Sequence, residues 1–273
     1  MPILNVEAQM CISIAARPSN IGTRFHNFLY DELGLNFVYK GFAVDDAEGA
    51  VRAVRALKIR GAAVSMPHKE AVIPFMDELD PSASAIDAVN TIVNTDGYLK
   101  AYNTDYQAVV DSLASHNVDK NYSVLVRGSG GMAKAVVAAF RDSGFKNLTI
   151  ASRNESTGRS LADKYGFSWI SEESLETLIG SDVLVNVTPL GMSGGNEGQL
   201  SFPEIMVDKS KVVFEVIAMP IETPLYELGI KHRKEVITGM EIMALQAAIQ
   251  FKLYTGIDLT SDQVKRASEF SRL

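Results

Sequence analysis

Cysteine is almost absent from this chain of 273 residues, and its scarcity limits the chemistry available. Cys11 is the only cysteine, so neither an intramolecular disulfide nor a cysteine metal cluster can form, which fits a reducing, cytoplasmic location. No uncharged apolar run is long enough to span a bilayer. The opening residues lack a basic region and include Glu7, which argues against a signal peptide.

An excess of positive charge is also lacking. The net charge is −7, which argues weakly against a nucleic-acid surface and more weakly against anionic membranes. Hydrophobic residues make up 47% and charged residues 22%, as in a folded globular protein of one large or two ordinary domains. The charge therefore favours neither nucleic acid nor a membrane as a partner. We expect no metal, and a monomer and a homodimer both remain open.

Short apolar runs alternate with helical patterns in the first part of the chain. The pattern predicts strands in QMCISIAA, LNFVYKGFAV and GAAVSM. It predicts helices in TRFHNFLYDELG and in DDAEGAVRAVRALKI, the second capped by Asp45 or Asp46. The segment VNTIVNTDGYLKAYN predicts a hairpin that turns at Asp96 and Gly97. These elements indicate parallel βα units with an antiparallel edge.

A helix over residues 104 to about 117 is predicted to lead into a second part. There the sequence predicts strand, glycine turn, helix and strand, with further strands in SDVLVNVTPLGM, KVVFEVIA and KEVITGM and two helices at the end. The predicted fold class is α/β, with two α/β domains. Residues 1–103 plus 239–273 are predicted to form a substrate domain with a mixed sheet, and residues 104–238 a Rossmann-type dinucleotide-binding domain.

The glycine turn in VLVRGSGGMAKA is the strongest sign of a dinucleotide. Gly128, Ser129, Gly130 and Gly131 stand between an apolar strand and an amphipathic helix, and Ala133 takes the third glycine position of the fingerprint. Glycine allows the tight turn, and the helix N-terminus offers N–H groups and partial positive charge to a pyrophosphate. A plain chain reversal would look similar, but the strand–turn–helix context favours the dinucleotide.

The end of the next strand favours NADP over NAD. NAD-binding domains place an acidic residue there to hold the ribose hydroxyls, whereas this chain has Ser152, Arg153 and Asn154. The guanidinium of Arg153 is a planar set of donors that suits a phosphate; the alternative is a solvated surface arginine. Arg159, further along the chain, is either a second phosphate contact or a surface charge.

Polar side chains interrupt apolar surroundings at several places outside the glycine turn. They are Ser65 and Lys69; Asn90; Asn103, Thr104 and Asp105; and Gln246 with Gln250 one turn below it. Each has a plain structural explanation, such as a turn cap, a helix N-cap or a bond across a helix interface. Beside a dinucleotide domain, the set together indicates a substrate pocket rich in donors and acceptors.

Lys69 and Asp105 are the charged members of this set. A lysine beside a carboxylate and a bound alcohol can pass or accept the hydroxyl proton during hydride transfer. The two groups would titrate as one coupled unit, so the sequence leaves open which of them holds the proton.

Seven segments of the chain have the order and spacing of a known family: GAAVSMPHKEAV, AVNTIV, AYNTDY, RGSGGMAKA, VNVTPLGM, EVIAMPIETPL and LQAAIQFKLYTG. From about residue 11 to about residue 256, the chain resembles the shikimate dehydrogenase family. The resemblance implies two α/β domains with a cleft between them. It also implies NADP-linked, reversible oxidation of shikimate to 3-dehydroshikimate, in aromatic amino acid biosynthesis.

The same resemblance implies roles for individual residues. Lys69 and Asp105 would be the catalytic pair, and Ser65, Asn90 and Gln246 would line the substrate pocket. The cofactor would contact Gly128, Ser129, Gly130, Gly131, Ala133, Ser152, Arg153, Asn154, Thr188 and Met192. Residues 239–243, bounded by Gly239 and Met243, would meet the nicotinamide and the substrate together.

The chain departs from the family pattern where the substrate carboxylate is held. The family usually carries HSxSP, and its two serines bind that carboxylate. Counting back from His26 puts Asn20 and Gly22 at the serine positions and Thr23 at the proline position. Asn20 and Thr23 are our candidates for substrate contacts, although Thr23 or Ser19 could replace a family serine only if the backbone shifts.

Other departures fall on the same side of the reaction. Ala63 and Ser65 replace the asparagine and threonine of GxNVTxPxK, and Glu215 and Ala218 replace the aspartate and tyrosine of DxxYxP. Removing one hydrogen bond to a charged ligand costs about 1.5–3 kcal/mol, so we expect shikimate to be accepted, but slowly. The alternatives are a dehydrogenase for a related cyclic polyol acid, such as quinate or an aminated analogue, or an NADP(H)- or ligand-sensing protein.

Overall fold

The computed structural model describes residues 4–178 and 180–273, and these form two compact units. The first consists of Met1–Thr104 and Ala244–Leu273, and the second of Asp105–Met243. The assignment of substrate and cofactor to residues 1–103 plus 239–273 and 104–238 stays a prediction. No helix in the described part of the chain is both long and apolar enough to cross a membrane.

The first unit is built on a mixed sheet whose strand order is β2-β1-β3-β5-β6-β4. Strand β1 is parallel to β2 and β3, while β5 is antiparallel to both β3 and β6, which confirms the predicted mixed sheet. The elements up to residue 103 are β1 (Gln9–Ala15), α1 (Asn20–Glu32), β2 (Phe37–Ala43), α2 (Ala47–Ala56), β3 (Gly61–Val64), β4 (Glu78–Leu79), α3 (Pro81–Ser84), β5 (Thr91–Thr95) and β6 (Tyr98–Tyr102).

Local signals in the sequence set several of these boundaries. Asp46 caps α2, because its Oδ1 accepts the N–H of Gly49 at 2.9 Å. Asp96 and Gly97 both have positive φ, 52° and 92°, as a two-residue hairpin turn between β5 and β6 requires. The predicted helix N-cap and the predicted hairpin are both confirmed.

The core of the first unit lies on both faces of its sheet. Side chains alternate along β1, so Ile12 and Ile14 pack in a cluster with helix α2, while Cys11 packs on the opposite face. That face is covered by α1 and by α9 (Gly239–Thr255), with α10 (Ser261–Ser271) packed on α1. Cys11 is fully buried, and burial raises the pKa of its thiol to about 12, as expected for a core side chain.

The second unit is built on a parallel sheet whose order is β12-β11-β10-β7-β8-β9. Read from β7, this is the doubly wound order of a Rossmann fold, and its direction reverses between β7 and β10. The elements are α4 (Thr104–Ser115), β7 (Val124–Arg127), α5 (Gly131–Asp142), β8 (Leu148–Ser152), α6 (Glu155–Tyr165), β9 (Ser168–Ser171), β10 (Val183–Asn186), α7 (Glu204–Lys209), β11 (Val212–Glu215), α8 (Pro224–Lys231) and β12 (Glu235–Thr238).

The predicted Rossmann-type domain is therefore confirmed, and ligands of such sheets bind where the strand order reverses. The sequence reasoning did not name the edge strand β9 or the helices α6, α7 and α8. It also did not name the short 3₁₀ helix Glu172–Glu176 that follows β9.

Candidate functional site

Three of the predicted substrate and catalytic residues lie at one edge of the first sheet. Because β3 and β5 are antiparallel, Ser65, which follows β3, and Asn90, which precedes β5, come to the same edge. Lys69 lies in the turns beyond Ser65, and its carbonyl accepts the N–H of Val89 at 2.8 Å. Ser65 is exposed and Lys69 is half-buried.

Asn90 and Gln246 belong to one hydrogen-bond network. Asn90 is 3% exposed; its Oδ1 accepts the N–H of Thr104 at 2.7 Å, and its Nδ2 donates to Thr104 Oγ1 at 3.0 Å. Thr104 Oγ1 also lies 3.3 Å from Gln246 Oε1, and Gln250 Nε2 donates to Thr91 Oγ1 at 2.8 Å. The network therefore joins β5, the first residue of α4 and helix α9.

The residues around Asp105 divide between structural and proposed chemical roles. Asn103 is buried, and its Nδ2 donates to the carbonyl of Ala88 at 2.9 Å. Its side chain therefore stabilises a turn, which is the structural explanation considered from the sequence. Helix α4 begins at Thr104, so Asp105 lies in its first turn and is not an N-cap. Asp105 is half-buried and begins the second unit; its catalytic role stays a prediction.

The segment that departs from the family pattern forms the start of α1. Ser19 is the N-cap residue but makes no side-chain cap bond, and Asn20 is exposed while Thr23 is half-buried. A Cβ at Gly22 would lie 3.5 Å from Tyr39 Oη, which is ordinary van der Waals contact. A side chain at position 22 is therefore sterically permitted.

The glycine turn of the second unit lies at the point where the strand order reverses. Gly128 has φ +117°, and a Cβ there would lie 2.9 Å from Val187 Cγ2 and 3.1 Å from Thr188 Cγ2. Both the backbone conformation and the close approach of the chain after β10 therefore require glycine. By contrast, a Cβ at Gly130 or Gly131 would meet nothing within 4 Å, which leaves room for a ligand.

The start of α5 has the features of a pyrophosphate site. Gly130 is the N-cap residue and no side chain caps the helix. The N–H of Ala133 bonds to the carbonyl of Gly130, and the start of a helix favours a bound anion. Ala133 is fully buried beneath this turn, and Ser129 Oγ lies 2.8 Å from Thr157 Oγ1 of α6. These residues fit a dinucleotide, because the glycines leave a cradle that any larger side chain would fill.

The loop after β10 is held by a buried carboxylate. Glu215 is 1% exposed, and it accepts hydrogen bonds from Asn186 Nδ2 at 2.9 Å and Thr223 Oγ1 at 2.8 Å. Asn186 Oδ1 in turn accepts the hydroxyl of Thr188 at 2.7 Å. Burial raises the pKa of Glu215 to about 7. Sequence reasoning noted Glu215 only as a departure from aspartate and missed that it orders this loop.

Three other predicted cofactor residues flank the same loops. Met192 is 43% exposed and Met243 is half-buried. A Cβ at Gly239, the first residue of α9, would lie 2.1 Å from the carbonyl oxygen of Val216. Only glycine therefore lets α9 begin this close to the chain that leaves β11.

The residues after β8 differ in what their side chains contact. Ser152 is 4% exposed; its hydroxyl accepts from Trp169 Nε1 at 2.9 Å and donates to the carbonyl of Asn154 at 3.0 Å. Asn154 is the N-cap of α6 and accepts the N–H of Thr157 at 3.0 Å. The side chain of Arg153 is 84% exposed. Of the three, Arg153 is therefore the one whose side chain makes no short contact within the described part of the chain and lies mostly in solvent.

Arg153 has charged neighbours that the sequence reasoning missed. Its Nε lies 3.6 Å from Glu172 Oε2, and Glu172 Oε1 accepts from Arg127 Nε at 2.9 Å. The signal available in the sequence was a charged residue, Arg127, at the end of an apolar strand. Arg159 instead bonds to Glu155 and lies 4.3 Å above the Trp169 ring, which supports the surface alternative.

Comparison with known proteins places these features in a family. Residues 20–92 match the shikimate dehydrogenase substrate binding domain. The chain is 51% identical over 271 residues to a shikimate dehydrogenase-like protein of Haemophilus influenzae, covering 99% of each. It is 32% identical over 277 residues to the shikimate dehydrogenase (NADP(+)) of Streptococcus uberis, covering 94% of each.

Solved structures agree with this assignment. The structure of a shikimate 5-dehydrogenase-like protein superposes with a TM-score of 0.96 at 50% identity, covering 99% of this chain and 100% of the other. Shikimate 5-dehydrogenase from Listeria monocytogenes, in complex with shikimate and NAD, superposes with a TM-score of 0.89 at 26% identity, covering 97% and 98%. The two-unit α/β fold, the Rossmann-type sheet and the similarity along the whole chain show that this protein belongs to the shikimate dehydrogenase family.

Proposed function

We propose that this protein is an NADP-dependent dehydrogenase that interconverts shikimate and 3-dehydroshikimate, slowly. The observation that carries the proposal is that the chain keeps Lys69 and Asp105, the charged pair of its family, together with the glycine turn at Gly128. Alcohol oxidation requires a proton transfer and a hydride transfer. Lys69 and Asp105 would serve the first, and the glycine turn would hold the cofactor that accepts the hydride.

The residues of this chain would divide the work as follows. When bound, NADP supplies the acceptor for the hydride. Lys69 would take the hydroxyl proton of the substrate as its carbon becomes a carbonyl, and Asp105 would be the second charged member of the catalytic pair. Asn90 orients the substrate, because its amide has two hydrogens and Thr104 accepts one of them.

The cofactor assignment has two supports within the second unit. The uncapped start of α5, with open space at Gly130 and Gly131, suits a pyrophosphate. The exposed guanidinium of Arg153 suits the 2′-phosphate that distinguishes NADP from NAD. The relative from Streptococcus uberis is named for NADP(+), in agreement with this choice.

A second candidate is a dehydrogenase for a related cyclic polyol acid, such as quinate or an aminated analogue. The observation that favours it is the start of α1, where Asn20 and Gly22 stand at the family's serine positions. Gly22 has no side chain to donate a hydrogen bond, so the substrate contacts of this segment would differ from those of the family. A third candidate, a sensor of NADP(H) or of another ligand, would not need a proton-transfer lysine.

A substrate panel tests the three candidates. Purified protein is assayed with shikimate, quinate and an aminated analogue, each with NADP and with NAD, by following the reduced nicotinamide. We expect slow turnover of shikimate with NADP. Faster turnover of another acid would move the assignment to the second candidate. Cofactor binding without turnover of any alcohol would contradict both enzymatic candidates and favour the sensor.

A further inference from the structure

Three charged residues follow three neighbouring strands at the carboxyl edge of the second sheet. Arg127 ends β7, Arg153 follows β8 and Glu172 follows β9. Because these strands are parallel and adjacent, the three side chains meet at one place. They line a cavity of about 600 Å³ together with the apolar residues Leu200 and Phe202.

The two arginines are held unequally by the one carboxylate. The Arg127 and Glu172 side chains are only 16% and 18% exposed, and Arg127 makes two nitrogen contacts to Glu172 Oε1 as well as a bond to the carbonyl of Ser201. Arg153 is 84% exposed, and its Nε lies 3.6 Å from Glu172 Oε2. Glu172 is therefore anchored by Arg127, and its contact with Arg153 is loose.

This arrangement places an anion beside the proposed phosphate contact. The two guanidinium groups and the Glu172 carboxylate together carry one net positive charge, and Glu173 and Glu176, which also line the cavity, add two negative charges. A phosphate bound here would carry nearly two negative charges. Glu172 therefore competes with the phosphate for Arg153 and repels it. The ribose of NAD has a hydroxyl in place of the phosphate, and a hydroxyl can donate to a carboxylate.

We propose that Glu172 is a specificity-determining residue that limits how strongly this protein prefers NADP to NAD. The inference rests on the proposed NADP-dependent function and adds a residue outside the glycine turn and outside the segment after β8. It assigns to the turn after β9 the function of tuning Arg153, with Arg127 as the anchor that keeps the carboxylate in place.

The test is Glu172→Gln, with NADP and NAD binding to the purified protein measured by calorimetry at one ionic strength. We expect the ratio of the NAD to the NADP dissociation constant to rise roughly threefold to tenfold, mainly through tighter NADP binding. The matched control is Glu173→Gln. Glu173 is the next residue, is exposed and lines the same cavity, but no ion pair joins it to an arginine in the described part of the chain.

The control separates local competition from net charge. An unchanged ratio in Glu172→Gln would overturn the inference, and so would an equal rise in Glu173→Gln. Wild-type protein that binds neither dinucleotide would overturn the proposed function as well, whereas NADP binding with no effect of Glu172→Gln would overturn this inference alone.

A second variant guards against loss of folding when Arg127 is left without its partner. Arg127→Leu combined with Glu172→Leu removes the mostly buried pair as a unit and leaves the net charge unchanged, which proteins often tolerate. We expect this variant also to raise the ratio, because Arg153 no longer faces a carboxylate. A folded double variant with the wild-type ratio would contradict the inference.

Discussion

At the scale of single residues, the position of Lys69 is the one on which the proposed chemistry depends. It lies just beyond a buried strand, half-buried in a turn that the N–H of Val89 ties to the start of β5. The backbone of Lys69 is therefore held at the edge where Ser65 and Asn90 also lie, and a substitution at this position replaces only the side chain.

We predict that Lys69→Ala lowers the turnover of the best substrate by at least roughly a hundredfold, the typical contribution of general acid–base catalysis, while NADP binding persists. Lys69→Arg is expected to fail as well, because a guanidinium keeps its proton. The control is Lys265→Ala, on the exposed surface of α10. Near-normal turnover in purified Lys69→Ala would show that the lysine is structural.

Arg153 gives a second prediction at this scale. Arg153→Ala should weaken NADP binding by roughly tenfold to a hundredfold, because a charge-assisted bond is worth about 1.5–3 kcal/mol, and should change NAD binding little. Lys146→Ala removes the same charge just before β8, at the opposite edge of the sheet. Equal losses for the two cofactors in binding titrations would argue against phosphate recognition by Arg153.

At the scale of elements, the first turn of α1 is where the family's sequence pattern and this chain's sequence differ. Gly22 lies in a helical turn, where glycine is unfavourable relative to residues with a Cβ. Nothing in the packing demands it, since the nearest atom to a Cβ would be Tyr39 Oη at 3.5 Å. The absence of a side chain there is therefore not a packing requirement.

We predict that Asn20→Ser with Gly22→Ser raises kcat/KM for shikimate by roughly tenfold or less. The hydroxyl at position 22 adds one hydrogen bond of about 1 kcal/mol net, whereas Asn20 already has an amide donor. A lower KM would indicate that the new contact is already made in the ground state. A higher kcat would indicate that the contact orients the ring for hydride transfer. Gly22→Ala is the matched control, because it adds a Cβ and helix propensity without a hydroxyl. An equal gain in Gly22→Ala would mean that the carboxylate is not held here.

At the scale of the whole molecule, each unit has its own core and its own sheet. The first core contains an unusual polar group, His26, which is fully buried and stacked on Tyr39 with ring centroids 4.4 Å apart. The side chain of Gln250 interacts with the ring and favours its charged form, but burial outweighs this effect. Burial lowers the pKa of His26 to about 3, so the ring is neutral in the folded protein at ordinary pH.

This depressed pKa predicts a loss of stability in acid. The unfolded chain binds a proton at His26 below about pH 6.5, while the folded chain does so only near pH 3. Protonation therefore favours the unfolded chain, and the free energy of unfolding decreases as the pH falls below about 6.5. Between pH 7 and pH 5, His26 should lower the free energy of unfolding by about 2 kcal/mol.

His26→Phe keeps an aromatic ring beside Tyr39 and cannot titrate. Between pH 7 and pH 5 its free energy of unfolding should therefore fall by about 2 kcal/mol less than that of the wild type. The measurement is urea unfolding at both pH values, followed by circular dichroism. Lys265→Ala, on the exposed surface of α10, removes no imidazole and is the control; it should show the pH dependence of the wild type. Identical pH dependence in His26→Phe and the wild type would contradict this account.

Features that depend on near neighbours in the chain were determined by the sequence itself. Strand alternation, the cap at Asp46, the hairpin turn at Asp96 and the glycine turn at Gly128 each follow from the conformational preferences of a few consecutive residues. The Rossmann-type domain also follows, because a strand, a glycine turn, a helix and a second strand in succession are typical of it.

Features that depend on distant partners were decided only by the tertiary structure. The short edge strand β9 is stabilised by pairing with β8, Glu172 contacts Arg127 45 positions away, and Glu215 contacts Asn186 29 positions away. Whether a polar side chain faces a ligand or another part of the protein depends on which groups the fold brings beside it. Ser152 and Asn154 form hydrogen bonds within the protein, whereas the side chain of Arg153 between them is exposed. The identities of these three consecutive residues do not predict that difference, because it depends on their tertiary neighbours.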